Sequence, residues 1–150
     1  MEQPNCQHPN HVMLINEIAK MFHDRMRSES VKNGMRSAYR PLLRPISEQE
    51  GITQQELAER THLKAPTVSV TLQQMEQEGL VIRQTDGKDQ RLIRVSLTPQ
   101  GRALHQRMMG SIRRLEETML AGVGQEELDA AYSALLAIRQ NLYRMEGRKG

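Results

Sequence analysis

The chain has 150 residues, enough for one domain or for one small domain with helical extensions. With 26% charged and 37% hydrophobic residues, no apolar run long enough to span a bilayer and no signal-peptide pattern in MEQPNCQHPN, the expected setting is the cytoplasm, away from membranes. Its one cysteine, Cys6, excludes an intrachain disulfide, and a net charge of +3 permits a nucleic-acid partner without demanding one.

There is no Trp, one Phe, three Tyr and ten Met, so the core must be built from Leu, Ile, Val, Ala and Met. A core so poor in aromatics is thin for a lone monomer, and a homodimer is expected. The first ten residues are polar and carry two prolines. Val12, Ile15, Ile18, Ala19, Phe22 and Met26 then recur at helical spacing, predicting a helix from about His11 to Arg27. Lys32-Asn33-Gly34 reads as a turn. Met35, Ala38, Leu42, Leu43 and Ile46 have helical spacing interrupted by Pro41 and Pro45, which gives either two short helices or one kinked helix.

Thr53-Gln-Gln-Glu56 is a capping box that opens a short helix reaching about Arg60. Thr61–Lys64 forms the next turn, with Leu63 expected to pin it to the core. Pro66 suits the first turn of a further helix that runs to about Gln77, and Gly79 supplies a left-handed stop. Val68, Leu72 and Met75 face inward at spacings of four and three, so Thr67, Ser69, Val70, Gln73 and Gln74 face outward. That outward set is short, uncharged and hydrogen-bonding, apart from Val70. A helix face meant only for water more often carries Lys and Glu.

Leu80–Thr85 and Leu92–Leu97 are rich in β-branched residues and flank Asp86-Gly-Lys-Asp-Gln90, which predicts a β-hairpin with a polar tip. Thr98-Pro99 starts a fifth helix, with Leu104, Met108, Ile112, Leu115 and Met119 on one stripe, ending near Ala121. A sixth carries Leu128, Ala131, Tyr132, Leu135, Ile138, Leu142 and Met145 near a 3.5-residue seam. The fold class is therefore mainly α with a small β-hairpin wing, a winged helix-turn-helix with N- and C-terminal dimerisation helices. Residues 35–101 form the winged-helix lobe, and 11–30 and 102–146 the dimerisation helices. Two short helices followed by a hairpin make a module whose second helix enters a DNA major groove.

Three features in order also resemble the MarR (multiple antibiotic resistance regulator) family of transcription factors. TQQELAERTHLKAPTVSVTLQQMEQEGLV follows its T-x-x-E-L-A … T-V-S … L-E-x-x-G-L-V pattern, with Met75 where the pattern has leucine. Asp86-Gly-Lys-Asp-Gln-Arg91 follows the wing signature D-x-R-D-x-R, with Lys88 in place of the first arginine, and LTPQGR comes directly after the hairpin. The resemblance implies a two-fold dimer whose recognition helices enter successive major grooves about 34 Å apart on a near-palindromic operator. It also implies wing tips that reach the minor groove, and a small-molecule effector between the dimer helices and the DNA-binding lobe. At Val70 and Gln74 family members often carry Arg, so moderate affinity with a shallow salt slope is expected.

On this reading the residues that contact double-stranded DNA are Lys64, Pro66, Thr67, Ser69, Val70, Gln73, Gln74, Lys88, Arg91 and Arg94. Asp89 and Arg91 resemble the pair that braces the family's wing, so Arg91 has a structural alternative. Arg94 has two alternatives as well, a phosphate or a nearby acid. His23, Tyr39, Arg40 and the methionines of the first and fifth helices have two readings, as ordinary core and surface packing or as the lining of an effector pocket. Cys6, His8 and His11 are metal-ligand types, but the segment is short and terminal and lacks a fourth ligand, so no metal and no cofactor are expected. No Gly-rich elbow, phosphate loop or other catalytic set appears, and no enzyme is expected. The rival readings are a metal- or redox-responsive regulator using Cys6, and a winged helix that binds protein rather than DNA. The second is admitted by a near-neutral central segment, in which seven cations between Ile52 and Arg102 face six acids.

Overall fold

In a computed structural model, residues 10–145 and 147 are described. The candidate ligands Cys6 and His8 lie outside these residues. Two compact units make up the chain, residues 1–112 and 113–150.

The first unit begins with α1, His11–Lys32, where the Asn10 side chain accepts from the Met13 amide at 3.1 Å. The helix runs one further turn past the expected Arg27. Its last buried positions are Met26 and Ser30, and the Ser30 hydroxyl spends its donor on the Met26 carbonyl at 2.9 Å. A serine that satisfies itself in this way can be buried, but it interrupts the apolar spacing on which the boundary was read. Gly34 turns the chain at φ +68°. A 3-10 turn at Ser37–Tyr39 leads into α2, Arg40–Glu48, so the two-piece alternative is the one adopted. Pro41 sits in the first turn of α2, where its missing donor costs nothing. Pro45 is tolerated mid-helix because Leu42, Leu43 and Ile46 are all driven into the core.

Thr53 caps α3, Gln54–Thr61, through the anticipated box. Its hydroxyl accepts from the Glu56 amide at 3.2 Å, and the Glu56 carboxylate accepts from the Thr53 amide at 2.8 Å. α3 ends on His62 at φ +55°, a left-handed position taken here by a residue other than glycine. Leu63 is half-buried rather than fully buried in the turn. α4 follows as Ala65–Gln77, and Gly79 at φ +71° stops it as expected.

The hairpin is β2, Val81–Thr85, and β3, Ile93–Leu97, each one residue shorter at its start than expected. A third strand, absent from the sequence reading, is β1, Ile52–Thr53. It pairs antiparallel with β3 (Ile52 with Val95, Thr53 with Arg94), giving the order β1-β3-β2. Val81, Val95, Leu97 and Ile52 turn inward. α2 packs on α3 and β3, α3 on α4, and α4 on β2 and on the 3-10 turn.

At the hairpin root, the Thr98 amide donates to the Leu80 carbonyl at 3.0 Å and its hydroxyl donates to the Gly79 carbonyl at 2.6 Å. The same hydroxyl accepts from the Gly101 amide at 3.0 Å and so caps α5, Pro99–Met119. A Cβ on Gly101 would overlap the Leu80 carbonyl oxygen, which is why LTPQGR needs glycine at that place. Leu104 and Met108 are buried, whereas Met119, where the helix stops two residues short of Ala121, is exposed.

In the second unit, Gly122 (φ +82°) breaks the chain before α6, Gln125–Met145. No α6 residue is fully buried, and Tyr132, Leu135, Ile138, Leu142 and Met145 stand exposed along the anticipated seam. No helix among the described residues is long and apolar enough to cross a membrane.

Candidate nucleic-acid interface

The centre of the site is α4, and its orientation follows from its apolar positions. Val68, Thr71, Leu72 and Met75 are buried. At about 100° per residue, the line opposite them passes through Pro66, Val70, Gln73 and Gln77, with Thr67 and Gln74 on one flank and Ser69 on the other. All four residues on that line are exposed, as is Thr67, while Ser69 and Gln74 are half-buried. Of the outward set read from spacing, Thr67, Val70 and Gln73 are exposed, and Ser69 and Gln74 stand on the flanks, half-buried. Gln77, on the same line one turn beyond Gln73, was not singled out, although its i+4 relation to Gln73 carries that signal. Lys64 stands exposed as the residue before the helix, without a side-chain cap bond of its own.

The wing is built by carboxylates. Asp86 accepts from the backbone amides of Lys88 at 2.7 Å and Asp89 at 2.9 Å, which folds the tip back on itself. It is also paired with the Arg94 guanidinium, which in addition donates to the Gly51 carbonyl at 2.9 Å. Arg94 and the two amides together hold the Asp86 carboxyl down to about 2. Of the two alternatives for Arg94, the structure shows the nearby acid: it pairs with Asp86 and ties the wing to the segment before β1. Arg91 grips Asp89 with two bonds, 3.0 and 3.1 Å, and lowers its pKa, yet its side chain remains 90% exposed.

The remaining cations of the segment are committed as well. Arg83, only 21% exposed, is bound to Glu76 at 2.7 Å and also reaches Gln54, which fixes β2 against the end of α4 and the start of α3. Arg60 pairs with Glu48 at 2.6 Å, and Arg102 pairs with Glu50. Five of the seven cations between Ile52 and Arg102 therefore have acidic partners. Lys64, just before α4, and Lys88, at the wing tip, are the two left over. An open cleft of about 400 Å³ lies between the α3 and α4 starts and the wing, lined by Thr53, Gln54, Glu59, Ala65, Arg91 and Ile93 among others.

Away from this face, Tyr39 is fully buried and its hydroxyl donates to Glu78 Oε1 at 2.8 Å, while Arg36 pairs with the same oxygen at 3.2 Å. Burial, then the Glu78 bond, pushes the phenol up to about 12. Of the two readings of Tyr39, packing and pocket wall, the structure shows packing: it fastens the 3-10 turn to the end of α4. His23 and Arg40 do meet, at 3.4 Å, and with Arg27, Ser37 and Ala38 they line a shallow concavity of about 260 Å³. Burial and the nearby Arg44 charge lower the pKa of His105 on α5. No group of His, Cys, Asp and Glu among the described residues is arranged to hold a metal.

The model of the MarR family matches residues 41–93, from α2 to the start of β3. A solved MarR-family transcriptional regulator from Silicibacter pomeroyi is 30% identical over 85% of this chain and 86% of its own, with a TM-score of 0.70. A second MarR-family transcription regulator superposes with a TM-score of 0.85 over 92% of this chain and 91% of its own, at 21% identity. An S. aureus MepR mutant bound to an oligodeoxyribonucleotide shares the fold at 21% identity and a TM-score of 0.62, over 90% of this chain and 99% of its own.

Proposed function

The chain belongs to the MarR family, and from that premise we propose that it is a sequence-specific DNA-binding transcriptional regulator that represses from a near-palindromic operator as a homodimer. One observation carries the reading: the exposed face of α4 presents Thr67, Val70, Gln73 and Gln77 with no charge of either sign, while Lys64 before the helix and Lys88 at the wing tip have no acidic partner among the described residues. Hydrogen-bonding side chains on such a helix suit base edges in a major groove, and lysines at the margins suit phosphates. Lys64, Pro66, Thr67, Ser69, Val70, Gln73, Gln74 and Lys88 are the contact residues in this proposal. Arg91 and Arg94 brace the wing that carries Lys88.

Dimerisation belongs to the same proposal. Val12, Met13, Ile18 and Met21 of α1, and separately Tyr132, Leu135, Ile138 and Leu142 of α6, are exposed apolar rows that a second copy would cover. Residues 35–101 then serve as the DNA-binding lobe and the terminal helices as the dimerisation elements. The small basic concavity of His23, Arg27 and Arg40 suits a compact organic anion as effector. An anion that favours one spacing of the recognition helices would shift operator affinity by its preference for that spacing. The test is selection from random duplexes with the full chain. Enrichment of one near-palindrome supports the function, and recovery of unselected sequence at low salt rejects it.

A further inference from the structure

Apart from Pro66, which the start of the helix accounts for, Val70 is the one feature of the α4 outward line that hydrogen bonding does not account for. It is 56% exposed, and between residues 35 and 112 the only other exposed large apolar side chain is Ile82 on β2. It also lies on the central outward line, one turn after Pro66 and one turn before Gln73 and Gln74. A side chain there is the first to meet any surface laid against the helix. Its two methyl groups can neither donate nor accept, so they cannot read a purine edge or the amino group of cytosine. The major-groove group that rewards an apolar contact is the C5-methyl of thymine.

We infer that Val70 reads the C5-methyl group of one thymine in each operator half-site, and that Gln73 or Gln74, a turn further on, reads an edge within reach of that base pair. The inference rests on the DNA-reading function proposed above. A single exposed valine is unremarkable on most surfaces, so what sets this one apart is its place at the centre of the line, with polar side chains from the next turn onward.

The experiment takes the duplex enriched by the full chain and replaces each thymine in turn by deoxyuridine, which removes only the methyl. One position per half-site should weaken binding about four-fold, the worth of one buried methyl, and replacement in both half-sites about sixteen-fold. Val70→Ala, a surface change, should bind the parent and the deoxyuridine duplex alike, while Gln73→Ala should keep the deoxyuridine penalty. Equal affinity for every deoxyuridine duplex would overturn the inference, as would the same penalty in Val70→Ala. Both results would leave DNA reading intact. If selection enriches no sequence, the proposed function fails and this assignment fails with it.

Discussion

The pairing of the cations makes a quantitative statement about salt. Each phosphate neutralised by a lysine or arginine contributes about −0.9 to the slope of log affinity against log salt. Only Lys64 and Lys88 stand without an acidic partner between Ile52 and Arg102. A dimer then offers roughly four phosphate contacts and a slope of about −3.6, a loss of on the order of 10²-fold between 50 and 200 mM salt. Had Arg91 and Arg94 joined them, the slope would be about −7 and the loss on the order of 10⁴-fold. Arg94 is held by Asp86, whose side chain is 11% exposed, and by the Gly51 carbonyl. Arg91 is the more open of the two, since an exposed ion pair is worth about 1 kcal/mol or less and a phosphate can compete for it. Fluorescence anisotropy over a salt series reads the slope directly. Lys64→Ala and Lys88→Ala should each flatten it by about 1.8, and Arg91→Ala should leave it unchanged. A wild-type slope steeper than about −5.4, or a flattening in Arg91→Ala, would show that the paired arginines leave their acids for DNA, and the reasoning would fail.

Two further outcomes follow from the packing. Gly101→Ala forces a methyl onto the Leu80 carbonyl and disturbs the Thr98 bond at the hairpin root, which should cost about 3 kcal/mol in urea unfolding. Gly79→Ala has room for its methyl but must hold φ +71°, and should cost only about 1–2 kcal/mol; the reverse order would refute the close approach. Tyr39, buried on Glu78, has its folded pKa raised to about 12, so it favours the protonated fold. The stability it adds is complete below about pH 10 and is lost as pH rises toward 12. Denaturant midpoints should therefore fall more steeply over that range in wild type than in Tyr39→Phe, by about 1–2 kcal/mol. Parallel curves would contradict it.

Features whose partners lie within a few residues were readable from sequence. The Thr53–Glu56 box, Pro66, the Gly79 stop and the outward face of α4 follow from local spacing. β1 could not be read, because two residues hold no periodicity and Ile52–Thr53 is a strand only through its pairing with Val95 and Arg94, some forty residues on. Ser30 hid the last turn of α1 by satisfying its own hydroxyl. For Tyr39 the sequence left packing and a pocket wall open, because its hydrogen-bond partner is 39 residues away and only the fold brings Glu78 to its hydroxyl. The interface was legible as a surface but not as a charge distribution. The sequence lists seven cations from Ile52 to Arg102, and only the geometry reveals that five of them are occupied.

The central claim is that two copies of one nearly uncharged helix read two half-sites. Its most direct test compares binding of the full chain to its selected palindrome and to a duplex carrying one half-site, with the stoichiometry measured by light scattering. The account predicts two chains on the palindrome and a loss of at least about 100-fold on the half-site, since one helix alone supplies few base contacts. A single chain binding both duplexes with equal affinity would contradict it.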